Sequence, residues 1–132
     1  MIVADASALL DLLLRRRSAD RIEAVIQSEL SLDAPHLVDT EVLHALRRWV
    51  ARGQLSADRA RTSLVALGDL PLIRHAHSPL TRRVWSLRDR LSAYDATYVA
   101  LAEGLGAKLL TADGRLARGA DGLVHVADVS AP

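Results

Sequence analysis

Four acids in this chain stand where chemistry could gather: Asp5, Glu41, Asp95 and Asp113. Asp5 ends the apolar run Ile2-Val3-Ala4 and precedes the apolar segment Ala8 to Leu14, between an expected buried strand and an expected helix. Asp113 follows the run Ala107 to Leu110 in the same way, and Glu41 and Asp95 fall in the expected first turns of two helices. Each acid also has a local use. Asp5 and Glu41 suit helix starts, Asp95 completes the capping box Ser92-Ala-Tyr-Asp, and Asp113-Gly114 is a common turn pair. Gathered at one place, however, four carboxylates repel, so that either their proton affinities rise or a cation sits among them. An all-oxygen set of this kind suits Mg²⁺ or Mn²⁺ rather than zinc. Two hydroxyls accompany the acids, Ser7 two residues after Asp5 and Thr111 two before Asp113, each placed to orient a carboxylate.

The elements that must bring these residues together follow from period and punctuation. Strands are expected at about 2–4, 30–34, 72–75, 107–110 and 123–126, and helices at 7–14, 18–28, 39–52, 56–68, 78–91 and 92–105. Ser18 and Ser56 each open the string SADR and are expected as helix caps. Strands alternating with helices predict a three-layer α/β domain spanning 1–132, with a central, mainly parallel sheet of about five strands. In such a sheet every strand ends on one edge and each crossover helix begins there. All four acids therefore belong to the carboxyl edge, where open α/β folds place their sites.

Composition narrows the class. A chain of 132 residues fits one domain with a real core. The absence of cysteine removes disulfides and thiolate metal sites and suits a reducing cytoplasm. Arg15, Arg16 and Arg17 follow the first apolar run instead of preceding it, the reverse of a secretory signal, and no charge-free run is long enough to span a membrane. The net charge is +1, yet four of the 16 acidic residues are those above, which leaves 12 against 17 basic residues. Lys108 is the only lysine; the remaining basic residues are arginines, the side chain that clamps phosphate in bidentate fashion.

With these residues placed, the sequence resembles a PIN-domain ribonuclease, specifically the VapC-type toxins of bacterial toxin–antitoxin pairs. The resemblance runs over essentially the whole chain. It is carried by IVADASALL at 2–10, by Glu41-Val-x-x-Ala-Leu, and above all by YDATYVALAEGLGAKLLTADGRLAR at 94–118. The family's acidic tetrad falls on Asp5, Glu41, Asp95 and Asp113, and its accompanying hydroxyls on Ser7 and Thr111. The resemblance implies a hydrolase: a Mg²⁺- or Mn²⁺-dependent endoribonuclease acting on a structured cellular RNA, homodimeric, and held inactive by a VapB-like antitoxin. His44 stands where relatives often have asparagine, three residues past Glu41 and so on a neighbouring helix face. In-line attack by water at a phosphodiester needs no ribose 2′-hydroxyl as nucleophile, so a preference for RNA must come from binding. Arg15, Arg16, Arg17, Arg115 and Arg118 are the candidates for holding the polyanion beside an acidic site.

Three rival readings make different demands. A zinc hydrolase would draw on His75-x-His77, but no HExxH accompanies it. A receiver-type domain needs an aspartate after its central strand, and the segment expected there ends in His75 and His77. A non-catalytic RNA-binding or protein-interaction module on the same fold is the serious alternative. Sparse aromatics (Trp49, Trp85, Tyr94, Tyr98) and the retention of all four acids argue against it, and the two tryptophans are expected in the core or a dimer contact.

Overall fold

In the computed structural model, which describes residues 1–131, β1 (Ile2–Ala4) is fully buried, as a continuous apolar run inside a parallel sheet requires. It lies between β2 (Leu32–Pro35), where Ile2 faces Leu32, and β4 (Lys108–Thr111), where Val3 faces Leu109. β3 (Leu72–His75) and β5 (Val126–Asp128) form the edges, so the sheet is all parallel in the order β3-β2-β1-β4-β5.

Parallel neighbours need crossover connections. α1 (Ala6–Leu13) and α2 (Ala19–Gln27) join β1 to β2, α3 (Leu37–Ala51) and α4 (Ala57–Asp69) join β2 to β3, α5 (Thr81–Ser86) and α6 (Ala93–Leu105) return the chain to β4, and α7 (Gly114–Ala120) leads to β5. The chain steps outward from β1 to β3, crosses back, and then steps outward the other way. Right-handed crossovers therefore put α1 to α4 on one face and α5 to α7 on the other, and the packing of α1 on α2, α3 and α4 and of α5 on α6 agrees. Leu9, Ile22, Val38 and Val42 fill one layer and Tyr98, Val99 and Leu116 the other, all fully buried against Ile2, Leu109 and Leu110 of the sheet. α6 is buried without a break from Ala96 to Ala102; its alanines let the helix approach β1, β2 and β4 closely. Among the described residues no helix is long and apolar enough to cross a membrane.

Several local expectations shift. The helix expected over 78–91 is a 3-10 turn at Ser78–Leu80, the short α5, and turns. There Arg90 donates to the carbonyls of Gly119 and Asp121 at the end of α7, and Leu87 and Leu91 drop into the core. α7 itself was hidden behind the turn signal Asp113-Gly114; because it and its closing turn use residues through Val124, whose N–H with that of Leu123 bonds Ala120 O, β5 starts at Val126 instead of Leu123. α3 starts at Leu37, so Glu41 sits in its second turn. β3 is an edge strand, and the central strand is β1, which does lead into an acid. The strand order, and not the histidines, separates this fold from the 2-1-3-4-5 order of receiver-type domains. Trp85 is 67% exposed, not in the core, with Arg88 4.7 Å over its ring; Trp49 is half-buried beneath Arg16 at 4.2 Å.

The two SADR strings part company as well. Ser56 is extended and accepts the Arg59 N–H at 3.1 Å, a true cap, whereas Ser18 has helical dihedrals and donates to Asp11 Oδ2 at 2.8 Å. Ser56→Ala is expected to lower unfolding free energy by about 1 kcal/mol in urea titration.

Candidate active site

The strand order reverses between β1 and β4, and there the helices that follow diverge to opposite faces. Asp5 ends β1 at this crevice and Asp113 follows β4. The β1–α1 turn is Asp5-Ala6-Ser7, without the glycines that would cradle a dinucleotide phosphate.

Asp5 caps α1 from an extended conformation. Its Oδ1 accepts from Ala8 N at 2.9 Å and Ser7 Oγ at 2.7 Å, and its Oδ2 accepts from Thr111 Oγ1 at 2.7 Å. Thr111 Oγ1 in turn accepts the Asp113 N–H at 2.9 Å, while Ser7 Oγ accepts that of Ala112 at 3.0 Å. The two hydroxyls thus tie the end of β1 to the end of β4 and fix the Asp5 carboxylate in one orientation. Asp113 caps α7, its Oδ1 accepting from Arg115 N and Leu116 N, which leaves Oδ2 facing the site. Asp95 stands in the first turn of α6, whose cap Ser92 accepts its backbone N–H. Glu41 reaches over from α3 and accepts the hydroxyl of Tyr98, one turn after Asp95 on α6.

The acids form one electrostatic unit. Burial pushes Asp5 up to about 6, against the pull of its three hydrogen bonds, and the charge of Asp113 pushes it the same way. Burial likewise raises Glu41, with the Asp95 charge adding to it. Burial raises Asp95, where Arg115 opposes and Asp113 reinforces the shift. Every acid of the four is linked to another by repulsion, which four unrelated caps would not show.

Their arrangement is open. Among the described residues no three His, Asp or Glu side chains converge tightly enough to enclose an ion as they stand. Arg115 lies between the outer two, with Nη2 3.7 Å from Asp95 Oδ2 and 3.8 Å from Asp113 Oδ2. The donors are all oxygen, and Asp5, Glu41 and Asp95 are raised chiefly by burial with neighbouring carboxylates adding to it, so their chemistry fits a hard divalent cation.

The other candidates are placed less uniformly. Arg15, at φ 52°, pairs with Asp20 and Glu23 of α2; Arg16 covers Trp49 and lies 3.8 Å from Asp11. Arg17 is exposed and shares a cavity lining with Ala112, next to Thr111. Arg118 is exposed within electrostatic reach of Asp128. His75 Nε2 lies 2.7 Å from the buried Asp33, which also accepts from Ser31, so this histidine is engaged within the sheet rather than paired with His77.

Tyr98 is the site residue that sequence reasoning left among the aromatics. Its signal was the three-residue spacing from Asp95, which puts both on one helix face. Burial, the hydrogen bond to Glu41 and the charges of Glu41 and Asp5 all raise it. In Tyr98→Phe the Glu41 carboxylate loses its donor, and its proton affinity is expected to rise further, read by carboxyl NMR titration of the metal-free protein.

Comparison with known proteins gives this geometry its family. The PIN domain family matches residues 2–122. Ribonuclease VapC1 of Mycobacterium tuberculosis is 44% identical over 116 residues, 87% of each chain. Among solved structures, PAE2754 of Pyrobaculum aerophilum superposes with a TM-score of 0.74 at 27% identity, over 98% of this chain and 90% of that one. A toxin–antitoxin complex from Klebsiella pneumoniae contains a chain with the same fold, at a TM-score of 0.71 and 18% identity over 98% of both. The chain therefore belongs to the PIN domain family, and within it to the VapC group.

Proposed function

We propose that this chain is a metal-dependent endoribonuclease toxin that hydrolyses phosphodiester bonds of a structured cellular RNA and is restrained by a cognate VapB-like antitoxin. The observation that carries the reading is the run of carboxylates linked by repulsion around the β1/β4 crevice, of which burial raises Asp5, Glu41 and Asp95, in a protein whose relative at 44% identity is named a ribonuclease. Asp5, Glu41, Asp95 and Asp113 would hold Mg²⁺ or Mn²⁺, which when bound lowers the pKa of a water and neutralises charge on the phosphate and the leaving 3′ oxygen.

The chain's own groups do the rest. Ser7 and Thr111 lock the Asp5 carboxylate, and Tyr98 holds Glu41, so neither must reorganise when a cation or substrate arrives. Arg115, exposed at the mouth between Asp95 and Asp113, is placed to meet a phosphate of the substrate backbone. Arg17 and Arg118 extend the basic rim, with Arg15 and Arg16 behind it and partly engaged within the chain.

The antitoxin is supported by the Klebsiella neighbour, solved as a toxin–antitoxin complex. A homodimer is the assembly the VapC resemblance implies. A cytoplasmic location agrees with the lack of cysteine and of any membrane-spanning helix among the described residues.

One observation favours a second reading, a non-catalytic RNA-binding or protein-interaction module: the acids do not enclose an ion as they stand. Purified protein freed of co-purifying partners, incubated with total cellular RNA, separates the two. Discrete fragments with Mg²⁺ or Mn²⁺ and none with EDTA are expected; intact RNA under every condition, with no divalent binding, would support the module.

A further inference from the structure

Beside the acidic centre lies a groove of about 580 Å³ that the chemistry above leaves unused. Leu37, Thr40, Glu41, His44 and Arg48 line it from α3, and Tyr94 from the start of α6. Glu41, His44 and Arg48 follow one another at helical spacing, so the lined face runs about 10 Å away from the catalytic acid. Tyr94 directly precedes Asp95, and 61% of it is exposed. His44, Thr40 and Arg48 are also exposed, and Arg48 enters none of the ion pairs formed among the described residues.

This lining is graded. It begins at an acid that belongs to the reacting centre, passes an apolar floor at Leu37 with an unpacked phenol ring alongside, and ends at an uncommitted guanidinium. An apolar helix would bury the Arg48 guanidinium without a partner, which is costly. A stretch of RNA meets each element: a base has a face for Tyr94, a phosphate has charge for Arg48, and ribose hydroxyls have partners in Thr40 and His44. Stacking on Tyr94 requires an unpaired base, since a paired one already has both faces covered.

We infer that this groove binds the unpaired nucleotide next to the scissile phosphate, with its base stacked on Tyr94, the neighbouring phosphate held by Arg48 and the ribose edge against His44 and Thr40. The inference rests on the ribonuclease reading for its position beside a cut, but not for the binding itself. It gives His44 a task, substrate contact, that does not require it to hold metal. It also places RNA selection on α3 and α6, where a mechanism that makes no use of the 2′-hydroxyl as nucleophile must have some contact to select RNA.

The test uses the full chain and two readouts. Fluorescence anisotropy in EDTA follows binding of a labelled pool of random-sequence single-stranded RNA 12-mers, with a 12-base-pair RNA duplex as comparison. Initial rates of total RNA cleavage with Mn²⁺, taken against RNA concentration, separate half-saturation from the maximal rate. Tyr94→Ala and Arg48→Ala are each expected to weaken single-strand binding about tenfold and to raise the half-saturating concentration similarly, with the maximal rate within about twofold. Tyr94→Phe should retain binding. Arg48→Ala should reduce the slope of log affinity against log salt by about 0.7, and Tyr94→Ala should leave it unchanged.

Because these side chains are exposed, the variants should melt with the wild type. Unchanged binding and half-saturation in both alanine variants, with Asp95→Asn inactive, would overturn the subsite and leave the nuclease standing. Equal losses on duplex and single strand would overturn the unpaired-base assignment. If the wild type cuts nothing but Tyr94→Ala and Arg48→Ala still lose binding, the subsite holds and the ribonuclease reading falls.

Discussion

Asp95→Asn is expected to fold as the wild type does and to lose metal-supported RNA cleavage by at least about 10²-fold, beyond the 10- to 100-fold typical of residues that merely support a metal ligand. The substitution isolates charge. Asp95 contributes its backbone N–H to the Ser92 cap, which asparagine preserves, and its side chain sits at the rim of the site with about a fifth of its surface exposed. Volume and helix start are unchanged; what disappears is the carboxylate that repels Asp113 and Glu41 and attracts Arg115. A lost rate with unchanged circular dichroism and melting would place Asp95 in the chemistry. Cleavage within a few-fold of wild type would remove it from the site.

The second large effect is on stability. Asp5 is held up at about 6 from an ordinary 3.8, chiefly by burial. Folded protein therefore binds a proton at Asp5 between these values when unfolded protein does not, so its contribution to stability is complete below about pH 4 and is lost as pH rises through 6. At 1.36 kcal/mol per unit the loss is about 3 kcal/mol in metal-free protein. Asp5→Asn should abolish this component and be more stable than the wild type at pH 8. Its amide can donate to Thr111 Oγ1 while Thr111 turns its own proton toward Ser7 Oγ, 3.3 Å away. Glu29 and Asp128, whose shifts run downward, and Glu41 and Asp95, whose shifts run upward, are present in both proteins, so the difference between the two profiles reports Asp5 together with its coupling to Asp113. Urea unfolding at pH 4 to 8 with EDTA measures it. Parallel pH profiles for the two proteins would show that Asp5 carries no such burden.

These two residues illustrate how much is legible in the sequence. Asp5 could be placed because a continuous apolar run that ends in an acid has one natural home, the end of a central strand. Asp95 could be placed because the serine cap three residues earlier marks a helix start. What escaped was tertiary. Tyr98 reads as one more buried aromatic until α3 swings Glu41 against its hydroxyl. Arg115 reads as one of several arginines until the short α7, concealed by a turn dipeptide, aims it between two carboxylates. The duplicated SADR string shows the limit most plainly: Ser18 gives up its cap because Asp11, from the preceding helix, offers its hydroxyl a better partner. The order of strands lay equally beyond local pattern, since β3 has strand spacing wherever in the sheet it sits.

The central proposal is that acids from four distant segments share a divalent-cation site. Calorimetric titration of Mn²⁺ into the metal-free protein, beside Asp5→Asn, Glu41→Gln, Asp95→Asn and Asp113→Asn, tests it most directly. The expected result is saturable binding by the wild type that every one of the four substitutions weakens by tenfold or more, with displacement by Mg²⁺. Wild-type binding retained in all four variants, or no binding by the folded wild type, would contradict a shared cation site and leave Asp5 and Asp113 as helix caps and Glu41 and Asp95 as ordinary residues of α3 and α6.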